Sequence, residues 1–422
     1  MNKEILAGIQ ERGLNLLDEM RQHLANKYPG LPIPPIVEEV VIDTTTQGPA
    51  IVGVYDHFLA LQELEEMPIA LLRASSAVGL PVVIAHGEGS LLLESRAIYV
   101  QWGLREREGR WEVVYYEHPL LAGYVRLSPF DLFLEWRDLF QRGIPGIFNQ
   151  KFEEATMDKF ASLEFFAKAK APCPETAHFR MSLRRVENRD EKVKARLVEM
   201  EAKGIFTTGA VVKPVGSSLG MGVVMFPEGV RVEEIAVDIL ARNHDVIVQR
   251  RINPPPLVIE GEDFDWNFRV LVARNSLNEP AVVAIEIRYS SKGGVVNAAQ
   301  GAKRLTFEDF ISRMGWDLTK VRQAIEALSL SMFRAIEDGL GLVDPQQDAV
   351  GLDIIVDHDR KAYAMEINGS LAMGYLGLDE LQPDASSSAL SLLKLMELRA
   401  RVYVHNRVHL LVYQPEVVGE GG

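Results

Sequence analysis

The stretch GLDIIVDHDRKAYAMEING, Gly351 to Gly369, constrains the fold more than any other part of the chain. Two largely apolar runs flank the polar segment HDRK, which is the pattern of a β-hairpin. With residues 358–361 as the loop, Asp357 pairs with Ala362, and the same register sets Asp353 directly opposite Glu366. Opposed carboxylates come within about 5 Å across an antiparallel pair and repel unless a cation lies between them. Asn368, two residues beyond Glu366, shares its face because strand side chains alternate. Oxygen-only ligation by Asp353, Glu366 and Asn368 suits a hard cation such as Mg²⁺, or Mn²⁺ in its place, which keeps waters and takes further ligands from substrate phosphates. The competing reading is a hairpin whose solvated face is simply acidic.

A nucleotide beside such a cation needs a phosphate cradle, and VVKPVGSSLGMG (Val211 to Gly222) has the composition of one. Lys213 precedes the loop, whereas a Walker-type loop ends in Gly-Lys-Ser/Thr, so this is a different device. Gly216, Gly220 and Gly222 strip side chains from a turn between two strands, and Ser217 and Ser218 add hydroxyl donors. Bare amides in such a loop can hold phosphate oxygens. Lys213 supplies a positive charge to the polyphosphate. A flexible hairpin without a ligand is the alternative.

The rest of the chain is consistent with a soluble protein. Its 422 residues exceed the size of one growing core and imply roughly two to three domains of about 150 residues. Hydrophobic residues are 47% and charged residues 25% of the total, too apolar for a disordered protein. A net charge of -14 argues against a broad nucleic-acid surface, though it leaves room for a local basic cleft or an anionic small molecule. Cys173 is the single cysteine, so no intrachain disulfide and no cysteine-based zinc site can form, in keeping with a reducing cytoplasm. Charges run throughout the first 28 residues, whose Leu6, Ile9, Leu16, Met20 and Leu24 form a helical stripe rather than a signal peptide. No apolar run of about 18 residues occurs, and a cytoplasmic protein without membrane partners is expected.

After the first helix and the connector YPGLPIPPI come strand-like runs VEEVVID, AIVGVY and PVVIAH, then a hairpin with the polar turn EREGR between AIYVQWGL and WEVVYYEH. HGEGSLLL, from His86, imitates a dinucleotide fingerprint, but Leu92 occupies the position that needs glycine or alanine, so it reads as a turn. His57, His86 and His118 have no ligand-like spacing. From about Gln150, helices alternate with strands, and the helix around VRQAIEALSLSMFRAIEDGLG turns Val321, Ile325, Leu328, Met332, Ile336 and Leu340 to a core. The expected segments are an N-terminal α/β domain at 1–148, a linker with the first part of the second domain at 149–205, a glycine-loop subdomain at 206–252, a metal-bearing subdomain at 253–385 and a helical tail at 386–422.

In their order, these motifs resemble the ATP-grasp carboxylate-amine ligases, the group that includes glutathione synthetase, D-alanine–D-alanine ligase and the ligases that add glutamate to ribosomal protein tails. The resemblance covers about residues 149–380. It implies an α+β fold in which two subdomains clamp ATP, with Mg²⁺ at the acidic hairpin. MDKF with APCPET is similar to the family's Asp-Lys helix start, which makes Lys159 a second phosphate-binding lysine. VIVQRRI resembles the hinge strand that holds adenine, pointing to Gln249, Arg250, Arg251 and Ile252. NFRVLV and the later Arg288 and NAAQGA resemble the strand and loop near ribose and the transferred phosphate, which makes Arg269, Arg288 and Asn297 candidates for anion stabilisation.

Three departures bear on substrate identity more than on nucleotide binding. The ribose-contact position falls on Asn267 instead of an acid, leaving Asp265, or neither residue, for that contact. Ala298, Ala299 and Gln300 replace the family's usual histidine and arginine, and Ser370, Leu371 and Ala372 replace Ser-Pro-Gly. The function implied is ATP-dependent joining of a small-molecule carboxylate to an amine, amino acid or peptide, through an acyl phosphate, in a homo-oligomeric protein. Its rivals are a small-molecule kinase on the same fold and a non-catalytic nucleotide-binding protein. No dense basic cluster of the kind a kinase pocket for inositol phosphates needs occurs outside residues 180–203, which read as a solvated helix face.

Overall fold

A computed structural model describes residues 3–27, 30, 32–55, 66–73, 75–86, 89–94, 97–126, 158–181, 188–217, 220–274, 279–297, 301–340, 349–368, 394, 396–398, 400 and 401. Contacts divide the chain into two compact units, one formed by 1–148 with 372–422 and the other by 149–371.

The first unit carries α1 (Lys3–Lys27), β1 (Ile36–Asp43), β2 (Pro49–Tyr55), α2 (Glu66–Arg73), β3 (Val82–His86), β4 (Leu91–Glu94), β5 (Ala97–Arg107) and β6 (Arg110–Arg126). Its mixed sheet has the order β1-β6-β2-β3-β5-β4. The β1, β2 and β3 pairings are parallel, and those to β5 are antiparallel. The stripe of α1 buries Ile9, Leu16, Leu17, Met20 and Leu24. Gly13 permits that approach, since a Cβ there would lie 2.6 Å from Val113 Cγ2. The β5–β6 hairpin is tighter than expected: Glu108 (φ 53) and Gly109 (φ 73) make the turn, and Arg107 pairs with Arg110. Two consecutive positive-φ residues match the right-handed twist of the strands, so most of EREGR is strand. Of the expected tail helix, the described residues between 394 and 401 are helical, and Glu397 accepts from Gly79 N at 3.2 Å.

The second unit holds α3 (Lys159–Lys168), β7 (Thr176–Phe179), α4 (Arg189–Ala202), β8 (Ala210–Pro214), β9 (Val224–Phe226), α5 (Val232–Ala241) and β10 (Val246–Arg250). The antiparallel sheet β7-β10-β8-β9 turns Ala177, Phe179, Val212, Val246 and Val248 onto Leu197, Ile235 and Ile239 of α4 and α5. Strand alternation therefore puts His178, Lys213 and Ile247 on the other face, where Ile247 pairs with both His178 and Lys213.

A second sheet follows: β11 (Leu257–Ile259), β12 (Glu262–Arg274), β13 (Pro280–Ser291), β14 (Lys303–Thr306), β15 (Ala349–Val356) and β16 (Ala362–Asn368), with α6 (Phe307–Met314) and α7 (Leu318–Leu340) before β15. Its order is β14-β13-β12-β15-β16, with β11 on β12. Phe268, Val270, Ile287, Leu352, Ile354 and Ile367 bury one face against the apolar stripes of α6 and α7. The opposite face is polar. No described helix is long and apolar enough to cross a membrane.

Candidate active site

The polar face of the second sheet carries a row of charges set by register. Glu286 pairs with Arg269, Arg269 with Asp353, and Asp353 with Glu366. Arg269 Nη1 lies 2.7 Å from each oxygen of Asp353, and its side chain is only 4% exposed. Asn368 Nδ2 donates to Asp353 Oδ2 at 3.3 Å. Arg269, expected to stabilise anions, thus holds Asp353 in place. Arg288 Nε and Arg304 Nε both reach Glu286 Oε1, at 3.3 Å each.

Asp353 opposes Glu366, but by a different route from the one the sequence suggests. The hairpin loop is 358–360, with Arg360 at φ 63, and Asp357 Oδ1 accepts the N–H groups of Asp359 and Lys361 at 2.9 Å each. A three-residue loop closing on a left-handed residue is a favoured hairpin geometry. Val356, not Asp357, therefore pairs with Ala362, and the ladder runs one residue out of the expected register as far as Ile354 and Ala364. A bulge at Met365 then inserts the missing residue, so that Asp353 meets Glu366. Without that correction Glu366 would share the face of Leu352, in the core.

Two lysines approach the acid pair. Asp158 caps α3 through Phe160 N at 2.7 Å and Ala161 N at 3.1 Å, which fixes Lys159 as the first helical residue. Lys159 Nζ lies 3.5 Å from Glu366 Oε1 and donates to Ser217 O in the glycine loop. Burial pushes the Lys213 ammonium below its ordinary pKa and Lys159 adds to the effect, while the charges of Glu366 and Asp353 oppose it. The loop stem is anchored by Lys159 N to Val215 O (3.1 Å), Val215 N to Asp245 O (3.0 Å) and Arg242 Nη1 to Gly222 O (2.8 Å). Gly220 and Gly222 take positive φ. Gly216 does not, and a Cβ there would meet nothing within 4 Å. Ser217 Oγ is buried with no hydrogen-bond partner among the described residues; Ser218 lies outside them.

The hinge residues divide. Gln249 is buried and donates to Thr176 Oγ1 at 3.0 Å, so its side chain joins β10 to β7. Ile252 is buried. Arg250 lies 3.0 Å from Glu175 and donates to Tyr363 Oη at 3.0 Å, and Tyr363 donates in turn to Asp357 at 3.0 Å. Arg251 pairs with Asp265 at 3.2 Å, whose Oδ2 also accepts Gly293 N at 2.9 Å. Asn267 Oδ1 is buried without a partner among the described residues, which leaves an acceptor available at the expected ribose position. Asn297 closes a turn, accepting from Ala302 N at 3.1 Å, and residues 298–300 lie outside the description. Sequence reading missed Glu286, Arg304 and Tyr363. The alternation of E-I-R in β13 and K-R-L-T in β14 was the available signal for the first two.

Among the described residues no group of three His, Cys, Asp or Glu could hold a metal; the acidic hairpin offers two carboxylates and an amide. That all-oxygen set, opposed in register, fits a hard divalent cation by donor chemistry.

Residues 207–375 match the YheC/D-like ATP-grasp family model. Among solved structures, D-cycloserine synthetase DcsG is 13% identical, with a TM-score of 0.50 over 85% of this chain and 99% of that one. D-alanyl-alanine synthetase A from Vibrio cholerae is 10% identical, with a TM-score of 0.52 over 85% of this chain and 99% of that one. At such identities the likeness speaks for the fold. No curated protein sequence matches the chain.

Proposed function

From a chain that has the ATP-grasp fold, we propose an ATP-dependent ligase that joins a carboxylate to an amine through an acyl phosphate. One observation carries the proposal: Asp353 and Glu366 oppose each other on a polar sheet face with Lys159 at 3.5 Å and Lys213 within electrostatic reach of both. Like charges held together in this way match the needs of a metal-loaded triphosphate, over and above the pairing of Asp353 with Arg269 and of Glu366 with Lys159.

Mg²⁺ held by Asp353, Glu366 and Asn368 would supply charge neutralisation to the ATP phosphates. Lys159, Lys213 and the amides around Gly216 position the terminal phosphate in line with the substrate carboxylate. A carboxylate oxygen attacks the γ-phosphorus, the bond to ADP breaks, and an acyl phosphate forms. The amine nitrogen then attacks the acyl carbon, phosphate leaves, and the nitrogen gives up its proton. Arg288 offers its guanidinium to the negative charge that builds in both steps, a contribution of about 3–4 kcal/mol in comparable sites. The glycine loop covers the site, because water would otherwise consume the acyl phosphate.

The test incubates the protein with ATP, Mg²⁺ and a panel of paired amino acids and dipeptides, and measures ADP and phosphate for each pair. A ligase releases both only when acid and amine are present together. A kinase releases ADP without phosphate, which would replace this reading with its rival. Lys213→Ala and Glu366→Ala should abolish turnover in folded protein; turnover that persists in both would refute the site.

A further inference from the structure

The stem of the glycine loop is pinned at Val215 from two sides: its N–H donates to Asp245 O at 3.0 Å, and its carbonyl accepts Lys159 N at 3.1 Å. A third residue lies between the two anchors. His178 on β7 stacks on Phe160, the neighbour of Lys159, with ring centroids 4.5 Å apart and planes tilted by 32°. Its Nε2 lies 3.7 Å from Asp245 Oδ2, too far for a hydrogen bond, and is buried with no hydrogen-bond partner among the described residues. The other Asp245 oxygen, Oδ1, accepts Met181 N at 2.7 Å, which holds the carboxylate on the β7 side. Val215, Asp245, His178 and the start of α3 therefore form a ring of contacts. Its one open link is His178 to Asp245, wider than a charge-assisted hydrogen bond by about 1 Å.

An imidazole changes charge between about pH 5 and 8. A charged ring here meets a carboxylate on one side and the face of Phe160 on the other, and interacts favourably with both. The remaining charges near it are of both signs. Lys159 and Asp158 flank Phe160, with the Asp158 carboxylate engaged in the α3 cap; Lys213 lies two strands away on the same sheet face; and Arg180, just beyond β7, is exposed. We infer that His178 is a positioning residue whose protonation closes the link to Asp245, tightens both anchors of Val215 and so orders the glycine loop. The loop is firmest when His178 is charged and loosest when it is neutral. That the ordered loop favours MgATP rests on the proposed function; the tightening of the stem does not.

Hydrogen exchange at the Val215 amide, followed without nucleotide at pH 6 and pH 8, tests this in wild type, His178→Phe, Asp245→Asn and the double variant. His178→Phe keeps a ring against Phe160, and Asp245→Asn keeps an acceptor for Met181 N. At pH 6 each single variant should exchange about fivefold faster than wild type, the scale of a part-exposed ion pair. The double variant should exchange no faster than either single one, since the two side chains act as a unit. At pH 8 the factor should fall below about twofold. Comparison with wild type at the same pH removes the intrinsic pH dependence of exchange. MgATP affinity, measured by calorimetry on the same proteins, should follow the same pattern, the ratio to wild type cancelling titration of the phosphates and of Lys213. A factor equal at both pH values, or effects that add in the double variant, would overturn the inference. So would exchange that follows the pattern while MgATP affinity in a nucleotide-binding wild type does not. Asp245→Asn decides alone if His178→Phe does not fold. Wild type that fails to bind MgATP, with the exchange pattern intact, strikes the ligase reading and leaves the His178 link standing.

Discussion

Asp353 and Glu366 are equivalent in the proposed metal site, yet the structure gives them different partners, and neutralising each should separate the two. Asp353 holds Arg269 through both oxygens at 2.7 Å, and the Arg269 side chain is 4% exposed. Removing one partner of a buried pair costs about 3–5 kcal/mol. Asp353→Asn keeps one acceptor for Nη1, so we take the lower end, about 3 kcal/mol. For a unit the size of 149–371 this lowers Tm by about 6–12 °C. Glu366 is more exposed, at 29%, and among the described residues its close ion pair is with Lys159, at 3.5 Å. Its substitution by Gln loses a weak pair worth about 0–1 kcal/mol and relieves repulsion from Asp353, so Tm should move by less than about 4 °C. The assay is a thermal melt with and without MgATP, read on the transition that MgATP shifts in wild type. Both variants should lose the shift, and only Asp353→Asn should melt early without nucleotide. Equal destabilisation by the two substitutions, or an Asp353→Asn protein as stable as wild type, would refute the division of roles.

Lys213 has its ammonium pushed below the usual 10.5, chiefly by burial. Between its lowered value and 10.5 the unfolded chain holds the proton more readily, so this residue's contribution to stability rises with pH across that window. Phosphate oxygens reverse the effect, so ATP binding should take up a proton there and weaken as pH rises; calorimetry in buffers of different ionisation enthalpy should show this in wild type and not in Lys213→Met. Gly222→Ala should destabilise the protein by about 1–2 kcal/mol, because φ is +70 and the new Cβ would lie 2.9 Å from Pro214 Cγ. Gly216→Ala, with open space at its Cβ, should leave Tm unchanged and raise KM for ATP about tenfold or more, measured by steady-state kinetics. In the first unit, burial raises the Asp43 carboxyl pKa, but hydrogen bonds from Arg105, Thr46 and Thr45 outweigh it and hold it well below 3.8. Its stabilisation is complete above 3.8 and fades as pH falls through the lowered value, so Asp43→Asn should destabilise by about 3 kcal/mol at neutral pH and less in acid, as denaturant melts across pH would report.

Period-two alternation made the second unit's strands readable, because one face of each sheet is buried against helices and the other is polar. In β12, Phe268 and Val270 pack in the core while Asn267 and Arg269 point the other way. Partner identity across strands was not readable in the same way. Nothing local to E-I-R says that β14 will bring Arg304 opposite Arg288, since that pairing depends on a connection whose length and course the pattern of either strand does not contain. The pairing of Arg269 with Asp353 was not readable for the same reason: the two are 84 residues apart.

The acidic hairpin shows how a local rule can reach the right pair by the wrong path. Counting back from a four-residue loop set Asp353 against Glu366, and they do oppose each other. The chain instead closes a three-residue loop, favoured by Arg360 in the left-handed region and by Asp357 accepting two backbone N–H groups, which shifts every pair near the turn by one. Met365 restores the count. A bulge costs ladder hydrogen bonds and is retained where a side chain must be re-aimed. Here the tight loop places Tyr363 where its hydroxyl meets both Arg250 and Asp357, and the bulge lets Glu366, three residues on, return to the same face. A regular strand cannot put residues three apart on one face, so the Tyr363 contact with Arg250 and the Glu366 carboxylate opposite Asp353 can coexist on β16 only because the two irregularities offset each other.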